Sequence, residues 1–323
     1  MIALVRNESL KLLRRRRFTI VISILMVILA IIAYSQYRQL RRTDRREWRV
    51  EIQQRVASYQ NQIRRGRINP SWARSLRAET ARLQFHLDHD IDPERPTAPF
   101  FVRTFANAAG FLLLPLLIAV LGSDIVSAEK SEGTDKLLLT RPVRRWKILG
   151  SKTIALFLFT TLTLICGALL AYVISSVVLE PRGWNVPLFS GFQISEKGVN
   201  FDGVRQLPLW QDALIAYGLE WYALLCVASI SLLLSVLFRS SSAAIGTMLA
   251  SLIGGTILTR VSPDWTAGKY LFVTALPLAD YYSGQAPPYD GMSLGFCIAL
   301  LGIWAAASLV IAFIVFVRRD IFG

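Results

Sequence analysis

Six stretches of this chain run for about twenty residues with almost no charged side chain, and the arginines collect between them. The stretches cover 18–37, 100–122, 153–179, 213–238, 240–259 and 291–317. A spanning helix needs about 20 mostly apolar residues, because the hydrocarbon core is about 30 Å thick and each residue rises about 1.5 Å. All six stretches meet that length. Their apolar positions fall neither in alternation nor on a single helical face. The pattern predicts an all-α integral membrane protein with six transmembrane helices.

The polar segments between the spans carry patterns of their own. Residues 1–17 mix Ile2, Leu4, Val5, Leu10, Leu12 and Leu13 with Arg6, Glu8, Lys11 and the run Arg14 to Arg17. That mixture predicts an amphipathic helix on the membrane surface, its basic face on anionic headgroups. In 38–99, Trp48, Ile52, Val56, Tyr59 and Ile63 recur at helical spacing, and Trp72, Leu76, Leu83 and Leu87 continue the stripe. Gly66 to Pro70 interrupts the two runs, and Ser71 is placed to cap the second. An antiparallel helical hairpin outside the membrane is expected. The outer loop 260–290 contains a short apolar stretch, Tyr270 to Ala279, broken by Pro277. Such a stretch is too short to cross, so a re-entrant element before the last span is expected. Loop 180–212 and the tail 318–323 complete the chain.

Composition sharpens this reading. Of 323 residues, 53% are hydrophobic and only 18% charged, and the net charge is +14. Six spans put both termini on one side. With a cytoplasmic N-terminus, sixteen lysines and arginines lie inside and five outside, once the segment 38–103 is set apart. Setting it apart is justified because loops longer than about 60 residues cross largely regardless of charge. Both termini are therefore expected in the cytoplasm, in a bacterial cell membrane. The first span follows Arg14 to Arg17 but lacks a small-residue cleavage site, which predicts a retained helix and not a signal peptide. Cys166, Cys226 and Cys297 each fall inside a span, where cysteine behaves as a small hydrophobe.

Candidate chemistry is sparse. No His-Glu-x-x-His zinc motif, nucleophile elbow or P-loop is present, so no catalytic residue, bound metal or cofactor is assigned to this chain. His86 and His89 stand near Asp88, Asp90 and Asp92, which is either a metal site or a polar helix end. Glu220 is the one acid well inside a span and marks a possible membrane polar site, with Arg103, Asp212 and Arg260 nearer the edges. Spans otherwise nearly free of charge suit an amphipathic or lipophilic cargo.

The cytoplasmic loop 123–152 is the most informative segment. A polar stretch holding Glu129 and Glu132 is broken by Gly133-Thr134; Leu137 to Leu139 follow, then Thr140-Arg141-Pro142-Val143-Arg144-Arg145 and a basic approach to the third span. Its chemistry suits docking against a peripheral protein, or an ordinary re-entry loop with positive-inside charge. This pattern resembles the permeases of the ABC-2 transporter family, and the resemblance extends over the whole chain. It implies that 123–152 is a coupling loop seated on a cytoplasmic ATPase, which would hold the ATP and magnesium. By that resemblance Glu129, Glu132, Gly133 and Thr134 would face the ATPase, and Arg141, Pro142 and Arg145 would fix the loop's exit. It also implies a second permease, identical or related, and export across the bilayer; no nucleic acid is expected as a partner. Two other classes stay open: an ion-coupled secondary transporter, and a non-transporting scaffold or sensor working through the outer hairpin.

Overall fold

In a computed structural model, the structure describes residues 1–14, 16–42, 48–65, 70–90, 92, 97–131, 143–190, 193–195, 198–200, 204–262, 265–285, 287–289 and 291–318. Five helices are long and apolar enough to cross a membrane: α2 (Arg17–Arg42), α8 (Arg145–Val178), α9 (Leu209–Leu237), α10 (Ser241–Val261) and α13 (Leu294–Arg318). A sixth crossing is the pair α5 (Ala98–Gly110) and α6 (Leu113–Asp124), bent by 58° at the break between them. Val27, Ile31, Leu169, Val177, Ile257, Ile303 and Val310 all stand exposed on these helices. Water would not tolerate that much apolar surface, and lipid would. The chain is an all-α multi-pass membrane protein in its bulk.

The bend has a cause in the sequence. Pro115, in the first turn of α6, lacks the N–H that would pair with the Phe111 carbonyl, and its ring crowds that carbonyl. The helix therefore stops at Gly110 and starts again at Leu113, near the middle of the span. Thr97 caps the entrance to α5 by accepting a hydrogen bond from the Phe100 amide at 3.3 Å, with Pro99 in the first turn. The Ala98 amide donates to Glu180 O at 2.9 Å, which pins that entrance to the far end of α8.

At the centre of the bundle lies α9, with 67% of its apolar window buried inside the chain, against 22% for α2 and α13 and 17% for α10. Packed on it are α13, α6, α5, α8 and the short helix α12 (Leu278–Tyr282). Small residues permit the approach: a side chain at Gly122 would collide with Ser231 of α9. Between α10 and α13 the chain makes a 3-10 turn, Thr266–Tyr270, and two short helices, α11 (Phe272–Ala275) and α12, separated at Pro277. Phe272, Val273, Ala275, Leu276, Leu278 and Ala279 are all buried, so this broken segment is packed within the protein.

Outside the bundle, α3 (Trp48–Arg64) and α4 (Pro70–Asp88) form a helical hairpin. Ile52, Val56 and Leu83 make its small core, flanked by Trp48, Tyr59 and Leu87. The second helix begins at Pro70, so Ser71 is a residue of its first turn and not the residue before it; proline suits a first helical position because its missing N–H would have no partner there. Loop 180–212 departs from an all-α chain. It holds β1 (Pro187–Ser190), β2 (Gln193–Ser195), β3 (Gly198–Asn200) and β4 (Arg205–Pro208), paired antiparallel as β1 with β4 and β2 with β3. Phe189 of β1 makes T-shaped ring contacts with Phe85, His86 and His89 at 4.9, 5.6 and 5.2 Å between centroids, which join the hairpin to the loop.

Candidate functional site at the head of the 123–152 loop

Loop 123–152 opens with α7 (Ser127–Ser131), directly after α6. A new helix start exposes backbone N–H groups that need acceptors. Ser235 of α9 supplies one, its hydroxyl accepting from the amides of Val126 and Ser127 at 2.9 Å each. The Ser127 hydroxyl in turn donates to Ser123 O at 2.6 Å and lies 3.1 Å from the Ser241 hydroxyl of α10. The root of the loop is thus held by the central helix and its neighbour.

A ring of four alternating charges holds the loop from the opposite side. Lys152 of α8 donates to Glu8 of α1 (Ile2–Arg14) at 2.9 Å and pairs with Glu129 of α7 at 2.8 Å. Lys11 of α1 donates to Glu8 at 2.8 Å and to Glu129 at 2.9 Å, closing the cycle. Lys152 is 1% exposed and gives a third bond to Ile125 O at 3.1 Å. Two cations and two anions balance, so no net charge is buried. Burial opposes charge on Glu129, but Lys152 and Lys11 outweigh it and hold the carboxyl below its ordinary range. Burial likewise opposes charge on Lys11, and its bonds to Glu8 and Glu129 more than offset this, raising the ammonium above its ordinary range. One turn away, Arg17 of α2 reaches Asp124 at 2.7 Å.

The resemblance puts Glu129 on a face turned to a partner; its side chain points into the ring and is nearly buried. The reason is Lys152, a lone ammonium at the edge of an apolar span that needs carboxylates around it. Arg145, in the first turn of α8, donates to Val317 O at 3.3 Å and ties the loop's exit to the end of α13. Glu132, Gly133, Thr134, Arg141 and Pro142 lie outside the described residues.

At the other end of the bundle Arg103 of α5 is buried among acceptors. It pairs with Asp212 in the first turn of α9, bonds Asn107 one turn along its own helix, and donates to Ser283 at 2.7 Å. Glu220, two turns further along α9, is 1% exposed, and a side chain at Gly110 would overlap its carboxyl.

His86 and His89 each bond a backbone carbonyl one turn earlier on α4. Their Nδ1 atoms bond Arg82 O at 2.8 Å and Phe85 O at 2.9 Å, and burial lowers the His86 imidazole from its ordinary range. Among the described residues no three acids, histidines or cysteines come together to hold an ion.

Sequence reading missed the two pairings that organise both ends. In the sequence Lys152 is one of the positive-inside charges, and Arg103 and Asp212 stand at the edges of different spans. The available signal was their position: a single charge at the edge of an apolar run is bound to seek an opposite charge on a neighbouring helix.

Comparison with known proteins gives this chain relatives. A family model described as "Protein of unknown function (DUF2705)" matches residues 80–322. "Uncharacterized protein YhcI" of Bacillus subtilis (strain 168) is 26% identical over 99% of this chain and 99% of its own length. "Uncharacterized membrane protein YdbK" of the same organism is 28% identical over 65% of this chain and 78% of its own length.

Proposed function

The chain belongs to the DUF2705 family, and we propose that it is the permease subunit of an ABC-2 type exporter, coupled to a separate cytoplasmic ATPase. The observation that carries this reading is the seating of α7. The head of the 123–152 loop is gripped by α1 and α8 through the charge ring and by α9 through Ser235. A force applied to the loop from the cytoplasm therefore reaches three helices without slack, as an ATP-driven rigid-body rearrangement requires. The loop's centre, with Glu132, Gly133 and Thr134, meets the ATPase, and Glu129 holds the loop's geometry instead of touching the partner.

In this reading α1 lies along the inner membrane surface and both termini are cytoplasmic. The α3–α4 hairpin and the β-ribbons face outward, and the segment broken at Pro277 is re-entrant. The membrane is a bacterial cell membrane, consistent with a relative whose printed name is that of a membrane protein. A second permease packs on the least covered span, α10, where Gly246, Ala250 and Gly254 present a small, exposed face. The cargo is amphipathic or lipophilic.

The test is purification of the tagged chain from its native membrane in mild detergent. A nucleotide-binding subunit in fixed proportion, hydrolysing ATP, is the expected companion. Its absence across several detergents would overturn the assignment.

A further inference from the structure

Glu220 sits about 16 Å along α9, level with the α5–α6 break. Its Oε1 is buried and has no hydrogen-bond partner among the described residues. Its Oε2 lies against Gly110, whose missing side chain leaves room for the carboxyl. The break between α5 and α6 leaves free backbone groups of both kinds, carbonyls at the end of α5 and amides at the start of α6, yet among the described residues no donor reaches Oε1. Asp280 of α12 acts on Glu220 through space and is itself held by the Gln285 amide at 3.3 Å. The Tyr217 hydroxyl donates to Val102 O at 3.0 Å. Arg103 directs its guanidinium nitrogens to Asp212, Asn107 and Ser283.

A bare carboxylate in such surroundings carries a large desolvation cost, so it must hold a positive partner. We infer that Glu220 is a cation-exchange site at mid-depth, protonated at rest and giving up its proton to a monovalent cation. On exchange the carboxyl O–H bond breaks, the proton leaves to water and the cation takes the carboxylate, with no change of oxidation state. One uncompensated carboxyl matches one positive charge. The cation is an alkali ion or the ammonium head of an amphipathic amine, and the two are told apart by experiment.

The full chain in lipid nanodiscs, in weakly buffered solution near neutral pH with a pH indicator, receives sodium, potassium or methylammonium chloride. Tetrabutylammonium chloride, whose charge is shielded by four butyl chains, is the control. Saturable release of about one proton per chain is expected from at least one probe, and none from Glu220→Gln. A response to sodium or potassium identifies an inorganic ion; a response to methylammonium alone identifies an amine head. Release no greater than with tetrabutylammonium, or equal release from Glu220→Gln, would overturn the inference. Should that variant fail to fold, infrared difference spectra of the wild type decide: the protonated-carboxyl band must fall as the active cation is added, and a constant band overturns the site. The assay needs no ATPase, so its outcome is separate from that of the permease assignment.

Discussion

The two ends of the bundle solve the same problem with different means. At the α1–α7–α8 end, four charged side chains from three helices close a ring in which every charge has two opposite neighbours. At the α5–α9 end, one guanidinium meets one carboxylate and fills its remaining donors with an amide and a hydroxyl. Removing one member of the ring leaves a buried charge imbalance. Removing Asp212 also unbalances a buried charge, but Arg103 keeps two neutral partners and lies within electrostatic reach of Asp280. The first arrangement makes three elements interdependent; the second anchors a helix entrance.

That contrast predicts a ranking of effects. Lys152→Met leaves Glu8 and Glu129 sharing only Lys11, and about 3–5 kcal/mol of unfolding free energy should be lost. Thermal unfolding in mild detergent measures it, and Glu8→Gln added to Lys152→Met should recover part of the loss. Full additivity of the two changes would refute the ring as a unit. Asp212→Asn should cost less, about 1–3 kcal/mol, because Asn107 and Ser283 still bind the guanidinium. Equal losses from the two variants would erase the distinction between the ends.

The pH dependence sharpens it. The Glu129 carboxyl is held below its ordinary 4.5, so its contribution is complete above that value and fades as pH falls through the depressed one. The Lys11 ammonium is held above its ordinary 10.5, so its contribution is complete below that value and fades as pH rises through the raised one. The stability gap between wild type and Glu129→Gln should therefore be flat from about pH 5 to pH 10 and narrow outside that window. A gap that changes steadily across neutral pH would contradict the ring's geometry. Smallest of all, Tyr217→Phe removes one hydrogen bond at the α5 end and should cost about 1 kcal/mol in the same melt.

How far the sequence displayed these features depends on the range of the interaction involved. The spans show in charge-free runs because lipid acts on every residue of a crossing helix. The α3–α4 core shows at Ile52, Val56 and Leu83 because a helical stripe is a local pattern. The break at 111–112 was written in Pro115, yet it hid within an uninterrupted apolar run. The β-ribbons of loop 180–212 are too short for a clear alternation. The charge ring escaped because its members lie far apart in the chain, and only folding brings Glu8 to Lys152.

That separation sets an order on how the protein is made. Glu8 and Lys152 stand 144 positions apart, so at synthesis rates of about 5–20 residues per second the first waits roughly 7–30 s for the second. Glu129 arrives in between and offers Lys11 its other carboxylate. During that interval Glu8 has Lys11 alone, then shares it with Glu129, and the arrival of Lys152 completes the set only after the bent pair α5–α6 has been laid down. The ring is thus a late clasp, closed when the beginning of α8 comes home to the beginning of the chain.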